Sequence, residues 1–226
     1  MAKRYLSISS ANGGSGYFGY TNGNPQLTFL ISDVGLLQSK ELRLQGNFKR
    51  VLNTNTAHLN EVDNSKDLNL DSFVGLASVV NNVEISSRAY SNRSLELIQN
   101  YPRLVSNFMS ALHSKSGLDT QMFHEQGCKG SGFDTVAEAN STTKLNDGNY
   151  SSAGQKISSR IPYCAKKGLD FDIRLMCGMF MSEDIDLENI GGLAITINLA
   201  PNENVLFGAD ASNYHYEIQN PRIIVP

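Results

Sequence analysis

Six short runs of this chain alternate apolar and polar residues with a period of two, and that pattern restricts the fold more than any other feature. Leu27, Phe29 and Ile31 share one parity, directly after Pro25. Leu42, Leu44 and Phe48 share another, with Gly46 at the same parity as an expected bulge position. Val83 and Ile85 alternate with Glu84 and Ser86, and Phe171, Ile173 and Leu175 with Asp172 and Arg174. Leu193, Ile195, Ile197 and Leu199 alternate with Ala194, Thr196 and Asn198, and Tyr214, Tyr216 and Ile218 with His215 and Glu217. Successive strand side chains point to opposite faces, so each run presents one apolar face and, in most cases, one wetter face. Strands buried on one face belong to antiparallel sandwiches and barrels; parallel α/β sheets bury both.

One segment carries the helical period. Asn100 can cap, Pro102 sits near the first helical position, and Leu104, Val105, Phe108, Met109 and Leu112 fall on one face before Gly117. A short helical turn is expected around Leu76 to Val80. No βαβ alternation, internal repeat or domain boundary occurs. Residues 1–25, rich in Gly, Asn and Tyr beyond Asn12, read as a flexible arm with no apolar pattern. A short strand at Tyr5 to Ser9 is possible within it. Residues 26–226 read as one all-β domain: an antiparallel sandwich with one amphipathic helix and a long polar insertion at about 114–154. Loops of that length are usually functional or disordered.

Composition narrows the function. The chain of 226 residues is 40% hydrophobic, enough for one large core. Charged residues make up 18%, below the roughly 25% of an average soluble domain, and Asn, Ser, Gly and Thr replace them. Such neutral polar surfaces suit close contact with other protein. The formal net charge of −3 and the absence of a basic run leave no electrostatic footprint for nucleic acid. No apolar stretch approaches the roughly 20 residues of a transmembrane helix, and the N-terminus lacks a signal-peptide core. Cys128, Cys164 and Cys177 are an odd, sparse set, which points to a reducing intracellular compartment rather than a disulfide framework. Without secretion, the N-x-S/T sequons at Asn92, Asn140 and Asn149 are chance matches.

The motifs that could carry chemistry each lack something. Gly14-Ser15-Gly16-Tyr17-Phe18-Gly19 fits the dinucleotide pattern literally, but Thr21-Asn22-Gly23-Asn24-Pro25 cannot open the helix that pyrophosphate binding requires. His124 and Cys128 have a spacing that could seat two zinc ligands, with no second local pair to complete a site. As nucleophile and base they would stand on a Gly-flanked loop, a poor platform for catalysis. His58, His113 and His215 are scattered, so a cupin-type metal centre is not expected. There is no G-x-S-x-G elbow. Glu183-Asp184-Ile185-Asp186-Leu187-Glu188 lacks the alternating ligands and the glycine of a calcium loop and reads as a solvated loop. Leu175, Met176, Met179 and Phe180 read as core packing, as do Cys164 and Cys177. No catalytic, cofactor-binding or metal-binding residue is therefore assigned, and the chain is not read as an enzyme.

Three segments, taken in order, resemble a known family. Leu187-Glu188-Asn189-Ile190-Gly191-Gly192-Leu193, running into the strand to Ala200, is similar to a late strand of the major capsid proteins of double jelly-roll viruses. These are icosahedral DNA viruses of virophage, polinton-like and phage type. Tyr216-Glu217-Ile218-Gln219-Asn220-Pro221-Arg222 resembles the strand that follows there, and Leu70 to Ile85 resembles a turn leading into a "Val-Glu-Ile" strand. The helix from Pro102 falls where the family places one. The resemblance covers about residues 26–225. It implies a jelly roll with about eight core strands, a structural protein of the virion capsid and a shell built by self-assembly. Its partners would be other copies of itself, as a trimer, and neighbouring capsid proteins. The insertion at 114–154 would lie on the particle's outside or at a subunit contact, and the arm would reach a neighbour. A complete double jelly roll needs two such domains, so the chain is either the first of two rolls or a single-roll relative, for which hexamers or pentamers are open. Two alternatives stand beside this: a carbohydrate- or ligand-binding, lectin-like jelly roll, which the absence of Trp counts against, and a cupin-like enzyme, which lacks its ligands.

Overall fold

The alternating runs become strands whose apolar parity turns inward. The computed structural model describes residues 5–12, 16–21, 23–53, 75–90, 93–112, 169–206 and 211–225. One sheet contains β1 (Leu6–Ser9), β11 (Tyr214–Val225), β5 (Arg43–Leu52) and β8 (Leu169–Arg174) in that order, with β2 (Tyr17–Phe18) also on β11. The other runs β3 (Gln26–Ile31), β10 (Leu193–Leu199), β6 (Val80–Ser87) and β7 (Ser94–Ile98). A short ribbon pairs β4 (Leu36–Leu37) with β9 (Ile185–Asp186). All of these pairings are antiparallel. Successive strands change sheets, from β3 to β5 to β6 and from β8 to β10 to β11, so the two sheets close face to face as a jelly-roll sandwich.

Between them lies one core. The five-stranded sheet contributes Leu44, Phe48, Ile173, Tyr216 and Ile218, and the four-stranded sheet Leu27, Phe29, Ile85, Ile195 and Ile197, all buried. Of the core residues expected from the sequence, Phe29, Leu44, Ile85, Ile173, Ile195, Ile197 and Ile218 are fully buried; the side chain of Phe108 lies outside the described residues. Burying each such side chain stabilises the fold by about 1.5–3 kcal/mol.

The helix α1 (Tyr101–Leu112) starts where expected. Asn100 stands at φ 55°, a left-handed conformation that Asn tolerates, and its carbonyl accepts from the N–H of Arg103 and Leu104. The buried face of α1 is headed by Tyr101 and Val105, four residues apart, and packs against β6 and the 3-10 turn Gly75–Val79. Two short helices follow, α2 (Gly178–Met181) and α3 (Leu187–Ile190). Asp186 caps α3, accepting from the N–H of Glu188 and Asn189. The helix ends on Gly191 and Gly192, at φ 74° and 77°, where a Cβ on Gly191 would fall 2.1 Å from that of Ala89.

Three expectations need correction. Residues 1–25 do not all lie apart from the domain: Leu6–Ser9 pairs with β11, and the Phe18 ring enters the core. One aromatic residue beside a free strand edge suffices, so no apolar period was needed. The irregularity expected at Gly46 belongs to the facing strand. β5 pairs with β8 continuously through Gly46, while the register of β11 shifts between Gln219 and Arg222. There Asn220 takes φ 48° and Pro221 has no N–H to contribute to the ladder. Finally, His215 and Glu217 are not on a wet face; both are buried, opposite Val51 and Lys49 of β5. The insertion at about 114–154 lies outside the described residues.

Candidate functional site

The β11 bulge opens a cleft of about 470 Å³ on the outer face of the five-stranded sheet. Its walls are outward-facing side chains of three strands: Gln45 and Asn47 on β5, Asp170 and Asp172 on β8, Gln219 and Arg222 on β11. Strand alternation puts them there, since Leu44, Ile173 and Ile218 take the inward positions. The polar groups are tied to one another. Asn47 Nδ2 donates to Asp170 Oδ1 at 2.8 Å, Arg222 Nε to Gln45 Oε1 at 3.1 Å, and Arg43 Nη1 lies 3.6 Å from Asp172 Oδ1. The cleft offers amides, carboxylates and a guanidinium, suited to hydrogen-bonding a polar surface. None of its lining residues is a Ser, Cys or His that could form a nucleophile–base pair.

A second polar group is buried on the same sheet. Asn53 Nδ2 donates to the Ser212 carbonyl at 2.8 Å, which turns its Oδ1 toward His215 Nδ1 at 2.9 Å. An amide oxygen only accepts, so Nδ1–H donates to it, and Nε2 lies 3.4 Å from Glu217 Oε1. The chain of contacts fastens the end of β5 to the start of β11. With His215 at 8% and Glu217 at 0% exposure, its place is structural.

The third group surrounds Cys177. Burial pushes its thiol well above the ordinary value, and Glu96 adds to the shift. The Glu96 carboxylate accepts from the N–H of Gly178 at 2.7 Å and of Met179 at 2.8 Å, holding the start of α2 against β7. Burial, and then Cys177, raises the Tyr101 phenol; its oxygen accepts from Met176 N–H at 2.9 Å and its hydroxyl donates to the Arg174 carbonyl.

The motifs weighed in the sequence are placed as follows. Tyr17 and Phe18 of the glycine motif form β2, and an isolated antiparallel bridge between Gly19 and Asn24 follows in place of a helix. Glu183 to Glu188 forms the β9 ribbon and the cap of α3. Leu175, Met176 and Phe180 are in the core, with Met179 packed against it. His58, His113, His124, Cys128 and Cys164 lie outside the described residues. Among the described residues no group of three or more His, Cys, Asp and Glu could hold a metal ion, and no helix is long and apolar enough to cross a membrane. The cleft itself was missed because its residues are far apart in sequence and unremarkable one by one; the Asn220-Pro221 break in a strand was the available signal.

The sandwich and its exchange of strands between sheets define a jelly roll. Among solved structures, a chain of the Sputnik virophage, determined by cryo-EM, aligns with 98% of this chain and 46% of its own length, at 10% identity and a TM-score of 0.53. The mavirus major capsid protein aligns with 100% of this chain and 48% of its own, at 13% identity and a TM-score of 0.47. This chain therefore spans about half the length of those proteins. The fold is that of one half of such a virophage chain, as the resemblance in the sequence implied. No protein-family model matches the sequence, and no curated protein matches it.

Proposed function

We propose that this chain is a structural capsid protein that self-assembles, through other copies of itself, into the icosahedral shell of a virion. The observation that carries the reading is the likeness of 98% of the chain to one half of a Sputnik virophage chain. Two features support it. Among the described residues the sheets end at β1, β7 and β8 with no further strand paired, and such edges suit side-to-side packing by symmetry. On the outer face of the four-stranded sheet Gln26, Thr28, Asn82, Thr196 and Asn198 are neutral polar groups, which suit contact with other protein. The working unit is a trimer of double rolls or, with a single roll per chain, a hexamer or pentamer. The chain does no chemistry of its own, and the insertion at 114–154 serves the particle's exterior or a subunit contact.

A second reading rests on the cleft beside Gln45, Asn47 and Asp170: a lectin-like module whose amides and carboxylates bind a sugar. Light scattering on the expressed chain, together with a glycan-binding screen, separates the two. Particles or large symmetric oligomers with no glycan bound support the capsid. A monomer at high concentration that binds a glycan, with binding lost in Asn47→Ala, supports the lectin and refutes the capsid.

A further inference from the structure

The β4–β9 ribbon is a small element with an unusual surface. Val34 and Leu36, of one parity, are 72% and 59% exposed, and Leu36 stands directly opposite Asp186. Around them Asp33, Glu183, Asp184 and Glu188 are all exposed. The ribbon thus has an apolar centre and an acidic rim, the anatomy of a contact surface. Its core-facing side is filled by Leu37, Ile185 and Leu187, so Val34 and Leu36 have no part in the domain's own packing.

Six residues beyond Leu37 the chain enters β5, and the outer face there has the opposite sign. Arg43 lies directly across from Arg174 in the β5–β8 ladder, a like-charge pairing that destabilises a sheet. In the adjacent row Asp172 and Arg222 both lie opposite Gln45. Three guanidiniums and one carboxylate therefore share two neighbouring rows, Asp172 lying 3.6 Å from Arg43 Nη1, and Asp170 stands in the row beyond, so the face carries three positive and two negative groups. Nothing in the core requires that arrangement.

We propose that these two patches bind each other between two copies of the chain: the acidic ribbon of one copy sits on the arginine rows of the other, with Val34 and Leu36 enclosed at the centre. The inference rests on the self-assembly reading and names a contact for it. A second copy is the occupant because both complementary patches belong to the same chain and adjoin along it. A two-fold arrangement then satisfies both at once. The net charge of −3 disfavours nucleic acid as the partner of the arginines.

The test is sedimentation velocity on the full chain over a range of concentration and salt, with two charge-reversed variants. One carries Asp33→Lys and Asp184→Lys; the other carries Arg174→Glu and Arg222→Glu. All four positions are exposed, and the Asp186 cap is left intact. The wild type should self-associate, more weakly as salt rises. Each variant alone should associate at least about tenfold more weakly, as expected when several charged contacts turn repulsive. Mixed in equal amounts, they should associate with each other, because each then carries the charges the other lacks; that recovery also shows both are folded. If both variants associate as the wild type does, or if the mixture gains nothing over either alone, the inference is overturned. Particles that form normally from the reversed variants would overturn it and leave the capsid reading standing, whereas a wild type that never associates would overturn both.

Discussion

Gly46 lies directly beneath the ring of Phe171: a Cβ built on it would stand 2.8 Å from Phe171 Cζ and 3.2 Å from Ile218 Cγ2. β5 and β8 can pair through this point only because one residue has no side chain, and the paired strands form the floor of the cleft. Gly46→Ala should cost about 1–3 kcal/mol by overpacking, read from urea denaturation. Adding Phe171→Leu should cost less in that background than in the wild type, because the clashing ring edge is gone. A Gly46→Ala protein as stable as the wild type would show that the ring moves aside freely.

Glu96 ties an edge strand to a helix start. Its two oxygens serve the N–H groups of Gly178 and Met179. Glu96→Ala should lose about 1–2 kcal/mol, the usual cost of removing an N-terminal cap, and Glu96→Gln should recover part of it. Thermal unfolding of the three proteins side by side decides the matter; equal midpoints would deny the clamp any role.

Tyr101 and Tyr216 set the alkaline limit of the fold. Burial raises both phenols well above the ordinary value of 10.0. The folded state therefore keeps two protons that the unfolded state releases. Their contribution to stability is fully present below pH 10.0 and is lost as pH rises beyond it. Phenolate absorbance of the native protein should stop at least two tyrosines short of the nine in the sequence until alkaline unfolding begins. Full ionisation with the near-ultraviolet dichroism intact would contradict this.

Cys177 should be chemically silent in the folded protein. It is buried, and its thiol is held protonated by burial and by Glu96. In a Cys128→Ser, Cys164→Ser protein, a thiol reagent followed by mass spectrometry should label Cys177 only under denaturant. Complete labelling without denaturant would mean that α2 opens readily.

How much of this could be read from the residues depends on the range of the forces involved. Strand parity is local, so the inward sets at Leu27 to Ile31 and Leu193 to Leu199 were legible, as was the start of the helix at Tyr101 and Pro102. Gly191-Gly192 was legible as a motif, and the structure supplies its reason in the left-handed turn packed on Ala89. Long-range pairing was not legible. Nothing near Phe18 in sequence indicates that β11 offers it a place, and Gly46 was read as a bulge because the partner strand that carries the irregularity lies some 170 residues away. His215 and Glu217 looked solvent-facing because alternation alone cannot show that an outer face is covered. The cleft depends on which strands become neighbours, and no single segment records that.

A shell built from this sandwich is the central claim. The direct measurement is cryo-electron microscopy of particles purified from the source of the sequence, with mass spectrometry of the same material. The chain should be a principal component of the particles, and the reconstruction should show repeated copies of this jelly roll packed side by side around symmetry axes. Particles without the chain, or a chain recovered only as a soluble monomer while particles form from other proteins, would contradict it.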